Sequence, residues 1–300
     1  MNAIFFYISL PFIYLVSLLP FWVLYRLSDL CFLLLYYVIG YRKRVVLTNL
    51  RNAFPEKPEQ EIRRICRRFF SYLCDLTLET LKTLTIGPRS VKKHVLMRDK
   101  SVFEQLKKAN QSAIIVMGHF GNWELGGARF AVEELQKLII IYHPLRNKHF
   151  DNLMYKMRTR LGNGLYTMKN TLRAMLRDRE QLTITAFIAD QTPANLNNAF
   201  WMDFLNQETP IFTGPEKIAQ KLKYPIVYVS LKRIRRGLYD LESELLVPNP
   251  ADTQENEIST RHIRRLEQDI REQPEIWLWT HRRWKHKRPK TEKENRAGET

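Results

Sequence analysis

An α/β fold is predicted by two features of the sequence. Short apolar runs rich in β-branched residues recur at 112–116, 138–142, 183–188, 225–231 and 238–247, and stretches with helical spacing separate most of them. Strands that alternate with helices build a central sheet, mostly parallel or mixed, with helices on both faces. A third feature, an uncharged start, adds an N-terminal membrane helix to this plan.

Residues 3–25 contain no charged side chain. Crossing a bilayer takes about 20 residues, and membrane helices tolerate prolines such as Pro11 and Pro20. A cleaved signal fits less well, because there is no basic start and no small-residue cleavage pattern follows. Arg26 and Asp29 interrupt, and the apolar stretch 30–41 is too short to span alone. Arg42-Lys43-Arg44 then favours the cytoplasmic side. The expectation is a membrane-anchoring segment, 1–41, with one spanning helix and its start outside. The second stretch would lie at the interface or pack on the domain, and a two-helix hairpin is the competing topology.

Residues 59–84 carry Ile62, Cys66, Phe69, Phe70 and Leu73 at helical spacing among basic residues. Such a helix either lies on a membrane surface or presents a solvated face of the domain. Next comes the strand at 112–116, then Met117-Gly118-His119-Phe120-Gly121-Asn122-Trp123-Glu124, then a helix over 125–136. Asn122 is the candidate N-cap. His119 therefore stands on a strand-to-helix turn, where α/β proteins present reactive groups, and the flanking glycines permit a tight turn. His119 and Glu124 are five residues apart. On one helix they would diverge by roughly 140°. With His119 before the helix and Glu124 in its first turn, the imidazole can fold back onto the carboxylate, which makes a general base. A bare His-x4-Glu is more often just a capped helix start.

The strand at 138–142 ends in His143-Pro144-Leu145-Arg146-Asn147 before a helix over 148–160. The planar fork of Arg146 suits phosphate or a developing oxyanion. The strand at 183–188 ends in Ala189-Asp190-Gln191, where Asp190 can orient a base or an acceptor hydroxyl, or simply stabilise a turn. Thr213-Gly214-Pro215 leads into a helix through Lys223, and the free amides there suit an anion. Strands at 225–231 and 238–247 flank the turn Arg235-Arg236-Gly237, and a charged helix covers 255–271. Of Trp277, Trp279 and Trp284, at least two are expected in the core rather than at a lipid interface. The polar residues 289–300 read as a disordered tail.

The formal charge of +17 points to anionic partners. No nucleic-acid-binding motif supports nucleic acid as that partner. Cys31, Cys66 and Cys74 form no Cys-x-x-Cys pair and suit buried thiols in a reducing compartment. There is no Rossmann, P-loop or zinc spacing, and a metal-dependent hydrolase built on His119, Glu124 and His143 lacks the spacing of known sites.

The whole string His119-Phe120-Gly121-Asn122-Trp123-Glu124 resembles the His-x4-acid signature of the glycerolipid acyltransferase superfamily. In this form it resembles the bacterial lipid A late acyltransferases, which use Glu where many relatives use Asp. The resemblance runs from about Tyr41 to Pro289 and includes Asn49-Leu50 with Phe54-Pro55, then Pro144 with Asn147, Asp151 and Arg158, then Asp190-Gln191-Thr192-Pro193, and the closing stretch from Pro274 to Trp284. Phe204-Leu205-Asn206 departs from it, since the family more often ends in Gly there, and this leaves the local loop shape open. The resemblance implies an acyltransferase domain over 42–288 at the cytoplasmic face of the inner membrane. It implies an acyl-carrier-protein donor and a phosphorylated glucosamine disaccharide acceptor, a lipid A precursor. A lysophospholipid or aminolipid acceptor is the alternative. His119 with Glu124 would be the base, with Asn122, Arg146, Asn147, Arg158, Asp190, Thr213 and Gly214 binding substrate. Neither cofactor nor metal is required. The basic run Arg282, Arg283, Lys285, Lys287 and Arg288 suits an acidic carrier protein.

Overall fold

The computed structural model describes residues 2–288 except 134, 194, 197 and 198. The tail expected at 289–300 lies outside the described residues. Two apolar helices open the chain, α1 (Asn2–Leu18) and α2 (Phe21–Leu33), and a π-helical turn, Leu34–Ile39, extends the second. Then come α3 (Lys43–Ala53), α4 (Glu59–Lys82), α5 (Pro88–His94), β1 (Val95–Leu96) and α6 (Ser101–Lys108). The central units follow as β2 (Ala113–Met117), α7 (Trp123–Ala131), β3 (Lys137–Tyr142), α8 (Lys148–Thr159), β4 (Gly164–Thr167), α9 (Thr171–Arg177) and β5 (Thr183–Ile188). A hairpin of β6 (Phe200–Phe204) and β7 (Gln207–Ile211) precedes α10 (Gly214–Leu222), β8 (Ile226–Arg235), β9 (Leu238–Val247) and α11 (Glu257–Glu272).

The main sheet has seven strands in the order β1-β9-β8-β2-β5-β3-β4. Only β8 and β9 pair antiparallel, so the sheet is mixed, as the sequence predicts. All five residues of β2 are buried, as a central strand covered on both faces requires. On one side α7 approaches so closely that Gly126 faces the Leu231 side chain of β8. On the other, Leu266 of α11 lies against Gly118.

The first correction concerns the start of the chain. The helix expected over 3–25 stops at Leu18, because Pro20 lacks an N–H and disfavours helical backbone at Leu19. Among the described residues, the helix long and apolar enough to cross a membrane is instead Phe21–Ile39, 19 residues with mean hydropathy 1.5. Asp29 lies within it, its carboxylate meeting Arg236 at 2.8 Å. The helix after β2 ends at Ala131, short of the expected residue 136.

Phe204-Leu205-Asn206 forms the tip of the β6–β7 hairpin, with φ of 51° at Leu205 and 60° at Asn206. Both central residues take the left-handed region that such tight hairpins need. Leu205 is fully buried there, so burial of its side chain offsets the cost that glycine would avoid. Trp277 and Trp279 are core residues, as expected, while Trp284 is half-buried with Nε1 donating to Thr209 Oγ1. Arg283 is buried too, donating from Nη2 to the Pro210 carbonyl. The basic run therefore offers Arg282, Lys285, Lys287 and Arg288 at the surface, but not Arg283.

Candidate active site

The chain leaves β2 at Met117 and reaches α7 at Trp123 through one turn. Gly121 has φ of 63°, and a Cβ there would collide with the Leu231 carbonyl, so the turn demands glycine. Asn122 caps α7 as predicted, its Oδ1 accepting from Leu125 N at 3.0 Å. The C-terminal loop clamps the turn from outside: Gly121 N donates to Ile276 O and Leu278 N to His119 O.

His119 does not fold back onto Glu124. Its Nδ1 lies 2.6 Å from Asp190 Oδ1, and its backbone N–H donates to Asp190 Oδ2 at 2.9 Å. Trp277 Nε1 donates to the same Oδ2 at 2.8 Å. The reason lies in the sheet register. Met117 of β2 is opposite Ile188 of β5, so residues two past each strand end meet side by side. Burial alone would raise the Asp190 carboxyl, but the charge and hydrogen bonds of His119, joined by the Trp277 indole, hold it well below the usual carboxylate range. In the tautomer whose Nδ1–H donates to Asp190, Nε2 is the acceptor nitrogen. The Gln191 amide approaches Nε2 at 3.4 Å, and the Trp123 ring packs edge-on at 4.9 Å.

Glu124 is instead held by Arg158 of α8, with contacts of 2.5, 3.1 and 3.2 Å. Burial acts to lower the Arg158 pKa, and Glu124 more than reverses that, so the guanidinium stays charged. His119, Glu124, Arg158 and Gln191 all border one cavity of about 260 Å³. Its other walls include Ile115, Phe130, Leu138, Ile140 and Leu231, with Gly126 and Gly127 of α7. Along β3 its lining runs from Leu138 to Tyr142, roughly 13 Å of strand. Polar groups at one end and apolar walls beyond them suit a molecule with a reactive head and a hydrocarbon chain.

The other expected site residues fall elsewhere. Asn122 is buried, and its Nδ2 donates to Glu79. Asn147 caps α8 through His149 N. Arg146 is exposed on its loop, and neither it nor Thr213 and Gly214 lines the cavity. Gln191 and Trp123 were not singled out in the sequence, although both lie within the motifs that were. Trp277 lies in the closing stretch, but nothing local to it signals that its indole meets Asp190, 87 residues away. Among the described residues, no group of three or more His, Cys, Asp or Glu side chains is arranged to hold a metal ion.

A family model, bacterial lipid A biosynthesis acyltransferase, matches residues 1–286. Among curated relatives, the lipid A biosynthesis palmitoleoyltransferase of Escherichia coli (strain K12) is 22% identical over 246 residues, 81% of this chain and 79% of the relative. The lipid A biosynthesis lauroyltransferase of the same organism is 24% identical over 277 residues, 91% of this chain and 89% of the relative. Its lipid A biosynthesis myristoyltransferase is 22% identical over 150 residues, 50% and 46% of the two chains. Matched over nearly its whole length, this chain belongs to the bacterial lipid A biosynthesis acyltransferase family and is an acyltransferase.

Proposed function

We propose that the protein moves a fatty acyl chain from an acyl-carrier-protein thioester to a hydroxyl of a lipid A precursor, at the cytoplasmic face of the inner membrane. The contact of His119 Nδ1 with Asp190 at 2.6 Å, at the mouth of an apolar cavity, carries the reading. His119 Nε2 takes the proton of the acceptor hydroxyl while Asp190 balances the imidazolium charge. The acceptor oxygen bonds to the thioester carbonyl carbon, the C–S bond breaks, and the leaving thiolate takes the proton back from His119. Arg158, fixed by Glu124, is the cation nearest to hand for the tetrahedral oxyanion. Glu124 thus serves through Arg158 rather than by orienting the base. The acyl chain occupies the cavity below.

The family and its named relatives support the acceptor class. The formal charge of +17 suits an acidic donor protein and a phosphorylated acceptor. Membrane contact is through apolar side chains left exposed on α1 and on Phe21–Ile39, among them Ile8, Phe12, Trp22 and Val38. Purified protein given a panel of acyl donors and lipid acceptors, read by mass spectrometry, tests the assignment. The expected product is a lipid A precursor heavier by one acyl group, formed from the carrier-protein donor and strongly reduced in His119→Ala. Acylation of lysophospholipid alone would reject the acceptor.

A further inference from the structure

Glu79 of α4 is fully buried and has three hydrogen-bond donors from three distant parts of the chain. Its Oε2 accepts from Asn122 Nδ2 at 2.7 Å and from the Tyr239 hydroxyl of β9 at 2.8 Å. Its Oε1 accepts from the Tyr25 hydroxyl of α2 at 2.9 Å. Asn122 is therefore gripped at both ends, with its amide nitrogen on Glu79 and its oxygen capping α7. Beside it, the Tyr72 hydroxyl donates to the Gly121 carbonyl at 2.6 Å.

Tyr25 is fixed just as closely. Arg236 stacks its guanidinium 4.7 Å from the ring centroid and donates to the Tyr25 carbonyl at 3.1 Å. Gly237 lacks the Cβ that would strike the Tyr25 hydroxyl. Nearby, Ser28 donates to Asp75 at 2.6 Å, and Asp75 also holds Arg233 and Arg236, each at 2.6 Å. A helix that served only to touch lipid needs no such fittings on its inner face. Its outer face, with Trp22 71% exposed, suffices for that.

We propose that Glu79 is a positioning residue that links the seating of α2 to the geometry of the His119 turn, so that the inner face of α2, through Tyr25, belongs to the catalytic architecture while its outer face is left to meet lipid. The link runs from the Tyr25 hydroxyl through the Glu79 carboxylate to Asn122, which sets the start of α7 and with it Glu124. Burial raises the Glu79 pKa, and its three donors counter this; Tyr25 is the donor to Oε1, so removing its hydroxyl leaves that buried oxygen orphaned at a cost in free energy. The proposal rests on the His119 turn being the catalytic one.

The test uses full-length protein in detergent micelles and, separately, on phospholipid vesicles. Tyr25→Phe removes one hydroxyl and no volume. It is expected to lower kcat by about five- to fiftyfold, with KM for both substrates and vesicle co-sedimentation unchanged. Phe12→Ser with Trp22→Ser is expected to do the reverse, weakening vesicle binding while kcat in micelles stays within about twofold, the scale of exposed changes. Glu79→Gln, which keeps an acceptor oxygen, is expected to retain more kcat than Glu79→Leu, both compared where circular dichroism shows them folded. A Tyr25→Phe enzyme with wild-type kcat, or one that loses kcat only in step with vesicle binding, would overturn the link. Full activity in His119→Ala would instead remove the catalytic reading beneath it.

Discussion

The imidazole of His119 is bonded to the carboxylate of Asp190, 71 residues further along the chain, and not to that of Glu124 five residues away. Two carboxylates with different partners result. One meets the His119 imidazole, and the other holds the Arg158 guanidinium at the cavity wall.

The first prediction follows from that division. His119→Ala should lower turnover by about two to four powers of ten, the usual contribution of a general base. Asp190→Asn should lose a large part of the same amount. The double variant should be little worse than His119→Ala, because the two act as one unit. Steady-state kinetics on folded protein checks this, and full additivity would dissolve the pair.

Glu124 and Arg158 should form a second, separate unit. Each single substitution to Ala should reduce kcat, and the pair should fall well short of additive. Glu124→Ala combined with His119→Ala, by contrast, should not show the same coupling as Glu124→Ala with Arg158→Ala. The comparison is a double-mutant cycle on kcat. Strong coupling of Glu124 to His119 would restore the arrangement expected from the sequence.

Acid stability should report on Asp190. Its folded pKa is depressed, against an unfolded value near 3.9. A depressed carboxyl adds stability that is fully present above the unfolded pKa and is lost as pH falls through the folded one. From about pH 4 downward, wild type should therefore lose stability more steeply than Asp190→Asn. Thermal unfolding from pH 6 to pH 2 measures the difference between the two curves, and parallel curves would count against the depressed carboxyl.

The donor should be recognised by surface charge. Arg282, Lys285 and Lys287 are exposed, and exposed charge contacts are screened over about 8 Å at physiological salt. Activity with an acyl-carrier-protein donor should fall steeply with added salt, through substrate affinity rather than saturated turnover. Acyl-CoA should show a shallower slope. Neutralising the three residues together should weaken the first reaction more than the second. Arg283 is left out because it is buried, and replacing it would test folding. Equal slopes for the two donors would reject docking on this run.

What the sequence determined by itself is local. The runs Thr183–Ile188 and Leu238–Val247 are strands with the expected bounds, because β-branched side chains and flanking turns mark a strand wherever it sits. Asn122 caps α7 because capping needs only three neighbouring residues. The placement of His119 on a strand-to-helix turn is likewise written in the glycines around it. Tertiary structure decided the partnerships. Strand β5 lies beside β2 although β3 and β4 come between them in the chain, and only that order and its register bring Asp190 to His119. The packing of α7 against α8 gave Glu124 to Arg158, and that of α2 against α4 gave Tyr25 to Glu79. Hydrophobic periodicity records which face of each element is buried, but it carries no label for the element that will cover it. The chemistry of this site depends on those neighbours.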